Sequence, residues 1–164
     1  MRDPVAFEKL AAIAPTLRGA SDRAEVLRLI THTARALNRS DGATFVFGEQ
    51  DKVFYAEENS DTPLWKGMRF PASACISGWV IQNAKPAVIT NIYCDSRVPI
   101  DAYRSTYVKS IAMVPVISQV PVAAIGTYWA EYHRTTDAEL ELLLELARFV
   151  GEIVFTSHLA QPAE

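Results

Sequence analysis

Ser110–Ile117 (SIAMVPVI) and Val122–Ala130 (VAAIGTYWA) carry no charged residue and are parted only by SQVP. Strands this uniformly apolar are found where both faces are covered, so the fold must set a layer on each side of the pair. Pro115 has no amide proton to give to a ladder, which places its nitrogen at a sheet edge or a bulge. Immediately before the pair the chain changes character. A short strand over Ala87–Ile92 (AVITNI) leads into an irregular segment, Asn91–Lys109, crowded with Tyr, Arg and Asp. Asp95, Ser96, Pro99 and Asp101 are turn and cap formers, and a short helix is expected over Ile100–Thr106. A polar and aromatic stretch with strands on both sides is where a small domain can build a pocket.

Helices are expected at both ends. Residues 4–17 set Phe7, Leu10, Ala11 and Ala14 at helical spacing, and Pro15 should end or bend this leading helix within residues 1–20. Asp22 followed by Glu25 has the form of a capping box opening a second helix, Arg23–Leu37, with Val26, Leu27, Ile30, Ala34 and Leu37 as its buried stripe. His32 has no Cys, Asp or Glu at ligand spacing and reads as a partly exposed helical residue. Ala43–Phe47 and Val53–Glu57 form a hairpin around Gly48 and Asp51. Gly67–Pro71 is a candidate short strand. Ala74–Asn83 (ACISGWVIQN) reads as a helical turn with Trp79 and Val80 inward and Gly78 permitting close backbone approach.

The last helix, Asp137–His158, can be capped by Thr135 or Thr136. Its Glu141, Glu145, Arg148 and Glu152 share a polar wedge, which leaves two apolar stripes. One holds Leu140, Leu143, Leu144, Ala147, Val150 and Val154; the other holds Leu142, Leu146, Phe149 and Ile153. One stripe can cover the sheet. The second, Leu142 to Ile153, needs the N-terminal helices, a second copy, or both, and is assigned as a homodimer surface. Residues 159–164 read as a frayed tail.

At 164 residues the chain is one domain's worth, and 49% apolar against 21% charged residues suits a packed core. The net charge is −3 and the 16 Lys and Arg are scattered, with no stripe to neutralise phosphates, which argues against nucleic acid as a direct partner. No run approaches about 18 apolar residues, and MRDPVAFEKL lacks a signal-peptide core, so no membrane is expected and the protein is placed in the cytoplasm. Cys75 and Cys94 are too few for a disulfide framework and lack metal-finger spacing; reduced thiols and no metal site are expected.

Three blocks in order, ISGWVIQNAKPAVITNI, NIYCDSRVPIDAYRSTYVKSIAMVPV and AAIGTYWAEYHRTTDAELELLLELA, resemble the GAF domain family of small-molecule sensor modules, with closest similarity to those preceding bacterial histidine kinases. The resemblance covers residues 21–158. It implies an α+β fold with a central antiparallel sheet of five or six strands. Terminal helices pack on one face and mediate dimerisation, and the Trp65–Tyr107 region covers a pocket on the other. Read this way, the chain is a non-enzymatic bacterial sensor domain that binds an unidentified small molecule, with no output domain following; it acts alone or by contact with a separate signalling protein.

For that pocket Trp79, Tyr93, Tyr103, Tyr107 and Tyr128 can supply a flat lining, Cys94 lies beside them, and Asp95, Arg97, Arg104 and Asp101 can orient a ligand. Arg97–Asp101 and Asp95–Arg104 are the expected ion pairs of an alternative in which the segment is simply locked shut. No cofactor is identified. Covalent bilin attachment in this family uses a Cys followed by His, whereas Cys94 precedes Asp95, and the signature of cyclic-nucleotide-binding members is missing. The free methionine sulfoxide reductase branch is the enzymatic alternative, through paired thiols, but its Gly-Val-Cys-Gly run is Ala-Cys-Ile-Ser-Gly at Cys75. A dimerisation module with a filled pocket is the third reading.

Overall fold

The computed structural model describes residues 4–19 and 22–154. The helical call beyond 154 and the tail at 159–164 lie outside the described residues, as do the side chains of Phe7, Ile153 and Val154. Two helices, α1 (Pro4–Arg18) and α2 (Arg23–Asn38), precede the hairpin of β1 (Gly42–Glu49) and β2 (Lys52–Ser60). The short β3 (Arg69–Pro71), α3 (Ile76–Asn83), β4 (Ala87–Ile89) and one-turn α4 (Ile100–Tyr103) follow. The chain then runs through β5 (Ser110–Ser118), β6 (Val120–Trp129) and α5 (Asp137–Phe149). The strands form one antiparallel sheet in the order β3-β2-β1-β6-β5-β4.

The two charge-free strands sit in the interior of this sheet, and their side chains divide as the sequence required. Ala112, Val114 and Val116 of β5, with Ala123 and Ile125 of β6, join the core beneath α1, α2 and α5. Their neighbours Ile111, Met113, Ala124 and Tyr128 join a second core beneath α3 and the 92–108 segment. All nine are buried, so each face removes apolar area from water at about 25 cal/mol per Å². Pro115 lies past Met113, where pairing with β4 stops, and beside the register shift at Val116/Ile117; β5 has no β4 partner there to require its amide.

The helical layer follows the sequence with three differences. Pro15 lies inside α1, which continues to Arg18: so close to the helix end Pro removes a single backbone bond, and fully buried Leu17 docks the last turn. Among the described side chains of α1, Leu10 and Leu17 are buried with Ile13 packed against them, and Ala11 is exposed. Asp22 caps α2 by accepting the Glu25 amide at 2.8 Å, and the whole expected stripe is buried. In α5, Thr136 and Glu139 form a complete capping box. The third difference corrects the dimer surface. Leu142 and Leu146 are 4% and 0% exposed within the chain's own core, packed with α1 and α2, whereas Leu144 of the supposed sheet-facing stripe is 38% exposed. Two helices arriving from the N-terminus cover the wider side of α5, which rotates its free side toward Leu144. Phe149 is half-buried under the Arg18 guanidinium.

No described helix is long and apolar enough to cross a membrane.

Candidate functional site

The second core is where the sheet meets its cover, and a carboxylate sets its first element. Glu58, on β2, accepts the amide protons of Leu64, Trp65 and Lys66 at 2.8, 2.9 and 2.9 Å, which folds the β2–β3 connection back and turns Trp65 inward. The indole then bridges to the cover, donating its Nε1–H to the Ala102 carbonyl at 3.2 Å. Around it stand Tyr55 at 5.5 Å, Tyr103 at 4.7 Å and Tyr128 at 5.5 Å between ring centroids, and Phe70 packs edge-on against Tyr55 at 5.6 Å. Each ring comes from a different element: β2, the β2–β3 connection, β3, α4 and β6.

The third wall is the start of α3. Gly78 packs directly on the backbone of Ala72, where a Cβ would collide with the Ala72 carbonyl, so the helix can approach the preceding turn only with glycine there. This seats Cys75, whose thiol faces the Pro71 carbonyl at 3.5 Å and Ser77 Oγ at 3.4 Å; Ser77 also bonds the Tyr55 hydroxyl at 3.2 Å.

Between these walls lies a cavity of about 110 Å³ lined by Tyr55, Trp65, Phe70, Pro71, Ala74, Cys75, Pro99, Ala102 and Tyr103, almost entirely apolar and partly open to solvent. Pro71 and Ala74 are exposed while Pro99 and Ala102 are half-buried, which marks the mouth between the β3–α3 connection and the cover. Burial raises the phenol ionisation of Tyr55, Tyr103 and Tyr128, so all three present neutral hydroxyls.

Of the residues expected to line a pocket, only Tyr103 lines this one. Tyr128 lies below it, touching Trp65 and bonding Thr44 Oγ1 at 2.8 Å. Trp79, Asp95 and Arg97 form a separate lock on the cover. Arg97 bonds Asp95 through Nε at 2.9 Å and Nη2 at 2.6 Å, and its guanidinium lies 4.3 Å above the half-buried Trp79 ring. The Arg97 hydrogen bonds hold the Asp95 carboxyl below its usual range. The ion pairs are therefore local, Asp95–Arg97 and Asp101–Arg104, in place of the crossed pairs expected; a residue two or three positions away reaches its partner with less ordering of the chain. Tyr107 bonds Ser60 Oγ at 2.8 Å at the hairpin end. Tyr93, Cys94 and Arg104 are exposed on the cover and do not line the cavity.

The lining residues absent from that expectation include the rings Tyr55, Trp65 and Phe70, and Cys75 enters the sequence reading only through the thiols of the enzymatic alternative. Tyr55 could have been found: in the β2 pattern Val53 and Tyr55 alternate on one face. Trp65 could not, because Glu58 places it through a loop. Cys75 and Cys94 are both free thiols, one buried and one exposed. The hydrogen-bond partners of Cys75 among the described residues include no Lys, Arg or His, the usual activators of a nucleophilic thiol.

A family model described as GAF domain matches residues 20–154. Among solved structures the chain is similar to the GAF domain of an Acinetobacter phosphoenolpyruvate-protein phosphotransferase (13% identity, 96% of this chain and 98% of that one, TM-score 0.82). It is also similar to free methionine-R-sulfoxide reductase from Neisseria meningitidis in complex with its substrate (16%, 95% and 92%, 0.80). A third is the phycocyanobilin-bound GAF domain of a cyanobacterial phytochrome (17%, 96% and 98%, 0.78). At these identities the likeness is one of fold. No curated protein matches the chain.

Proposed function

The chain belongs to the GAF domain family, and from that membership we propose that it is a non-enzymatic sensory module of bacterial signalling that takes a small molecule beneath its cover. The observation that carries this reading is the aromatic cavity walled jointly by the sheet and by the cover, since a ligand there touches both layers and biases how they sit together. Its size bounds the occupant. At about 110 Å³ it is well below the roughly 300–1,000 Å³ of clefts for drug-sized ligands, so a tetrapyrrole of the kind held by the similar phytochrome domain does not fit. The enzymatic reading, drawn from the similar sulfoxide reductase, lacks support at the thiols: the buried Cys75 has no cation among its hydrogen-bond partners in the described residues, and Cys94 stands on the outside.

The domain acts in the cytoplasm, as a homodimer or through a separate signalling protein. Because Leu142 and Leu146 are already covered, a second copy would meet α5 through Leu144 and Phe149. The test is a screen of small uncharged molecules by ¹H–¹⁵N correlation spectroscopy. Binders should move the Trp65 indole signal together with amides of residues 72–76 and 99–103. A screen in which none moves them would overturn the binding reading, and thioredoxin-dependent reduction of free methionine sulfoxide that is lost in Cys75→Ser or Cys94→Ser would overturn the non-enzymatic one.

A further inference from the structure

Tyr103 differs from the other buried tyrosines of this core in one respect. Tyr55 bonds Ser77 and Tyr128 bonds Thr44, but the Tyr103 hydroxyl has no hydrogen-bond partner among the described residues, although the side chain is 97% removed from solvent. The hydroxyl oxygen itself is not fully enclosed, and a donor that faces a small apolar cavity takes its partner from whatever occupies that space, water or guest. The hydroxyl is neutral and stays so: burial is the first cause, and the neighbouring Tyr55 hydroxyl and Cys75 thiol add to it. Those neighbours also locate it, because Tyr55 and Cys75 line the same cavity that Tyr103 does. The remaining lining is aromatic rings, two prolines and two alanines, with no charged group. An ion entering here would lose its hydration against rings and methyl groups without a counter-charge.

Resting on the cavity reading above, we propose that the occupant is a small uncharged molecule with an apolar body and one acceptor oxygen, carbonyl or ether in kind, bound with that oxygen on the Tyr103 hydroxyl. Size narrows it further. A cavity of about 150 Å³ takes benzene, so one of 110 Å³ takes about four or five non-hydrogen atoms. The Trp65 Nε1–H is already committed to the Ala102 carbonyl and the Tyr55 hydroxyl is paired with Ser77, so Tyr103 is the lining hydroxyl without a partner among the described residues.

The experiment titrates two probes of matched shape, 2-butanone and 2-methyl-1-butene, in which a methylene replaces the carbonyl oxygen, into the protein and its Tyr103→Phe variant. The readout is the Trp65 indole N–H resonance. Tyr103→Phe should weaken 2-butanone about five- to tenfold, the worth of one neutral hydrogen bond, and leave 2-methyl-1-butene unchanged or tighter. Thermal unfolding of both proteins shows that the variant is folded. If both probes bind and the substitution changes them equally, the acceptor-oxygen inference is overturned while the cavity reading stands. If neither probe moves the resonance in the folded wild type, the cavity reading itself fails and this inference falls with it.

Discussion

Trp65→Ala removes a side chain that ties the sheet to its cover. Truncation of a buried Trp costs about 3–5 kcal/mol through lost transfer energy and the void left behind, and at 5% exposure Trp65 qualifies for the full range. Its three ring contacts, at 4.7, 5.5 and 5.5 Å, are part of that figure, and the loss of the indole bond to the Ala102 carbonyl adds about 1 kcal/mol. The expected total, about 4–6 kcal/mol, is a large share of the roughly 5–15 kcal/mol a domain has. Trp65→Phe keeps a ring in place and gives up the indole bond and some volume, for about 1–3 kcal/mol. Urea unfolding followed by far-ultraviolet circular dichroism measures both, with the shift in midpoint read at constant slope. Added indole should restore part of the Ala variant's loss by binding the void, in proportion to its concentration over its dissociation constant. A loss below about 2 kcal/mol for Trp65→Ala, or equal losses for the two variants, would refute the bracing role.

Other perturbations test separate parts of the account. Asp95→Asn should cost no more than about 1 kcal/mol at neutral pH, because the Arg97 pair is partly solvated. Its signature lies on the acid side: a carboxyl held low in the folded protein contributes stability above its unfolded value near 4 and loses it as pH falls further, so the variant should show a shallower acid decline in midpoint denaturant. Gly78→Ala should destabilise by at least about 2 kcal/mol in the same assay, since the new methyl meets the backbone of Ala72 rather than a side chain able to turn away. Tyr55, Tyr103 and Tyr128 should stay un-ionised in an ultraviolet titration until the protein unfolds. The folded state keeps protons that the unfolded chain releases near pH 10, and stability falls above that pH. Leu144→Glu should reduce any dimer seen by light scattering without changing the unfolding midpoint, whereas Leu142→Glu should unfold the monomer.

The layered fold was legible because the continuous apolar run of β5 is unmistakable: every residue from Ile111 to Val116 is apolar, and such a strand belongs between two layers. The caps at Asp22 and Thr136 and the close approach at Gly78 were likewise local matters of residue type. What the sequence hid was long-range. It pointed to tyrosines and charges of the cover, yet most of those pair with near neighbours, as Asp95 does with Arg97, or face water, as Tyr93 does. The cavity is walled instead by rings brought in by a loop that Glu58 pins, and by a cysteine seated through Gly78. The face of α5 that is left free depended on where α1 and α2 dock, a matter of tertiary geometry that two equally apolar stripes cannot decide.

A crystal of this protein under xenon pressure tests the central claim most directly, since xenon enters small apolar cavities without needing a polar partner. One xenon atom is predicted between Trp65, Tyr103, Tyr55 and Cys75, under Ala102. Side chains closed over that space, with no xenon there, would contradict the claim that the sheet and its cover enclose a ligand site.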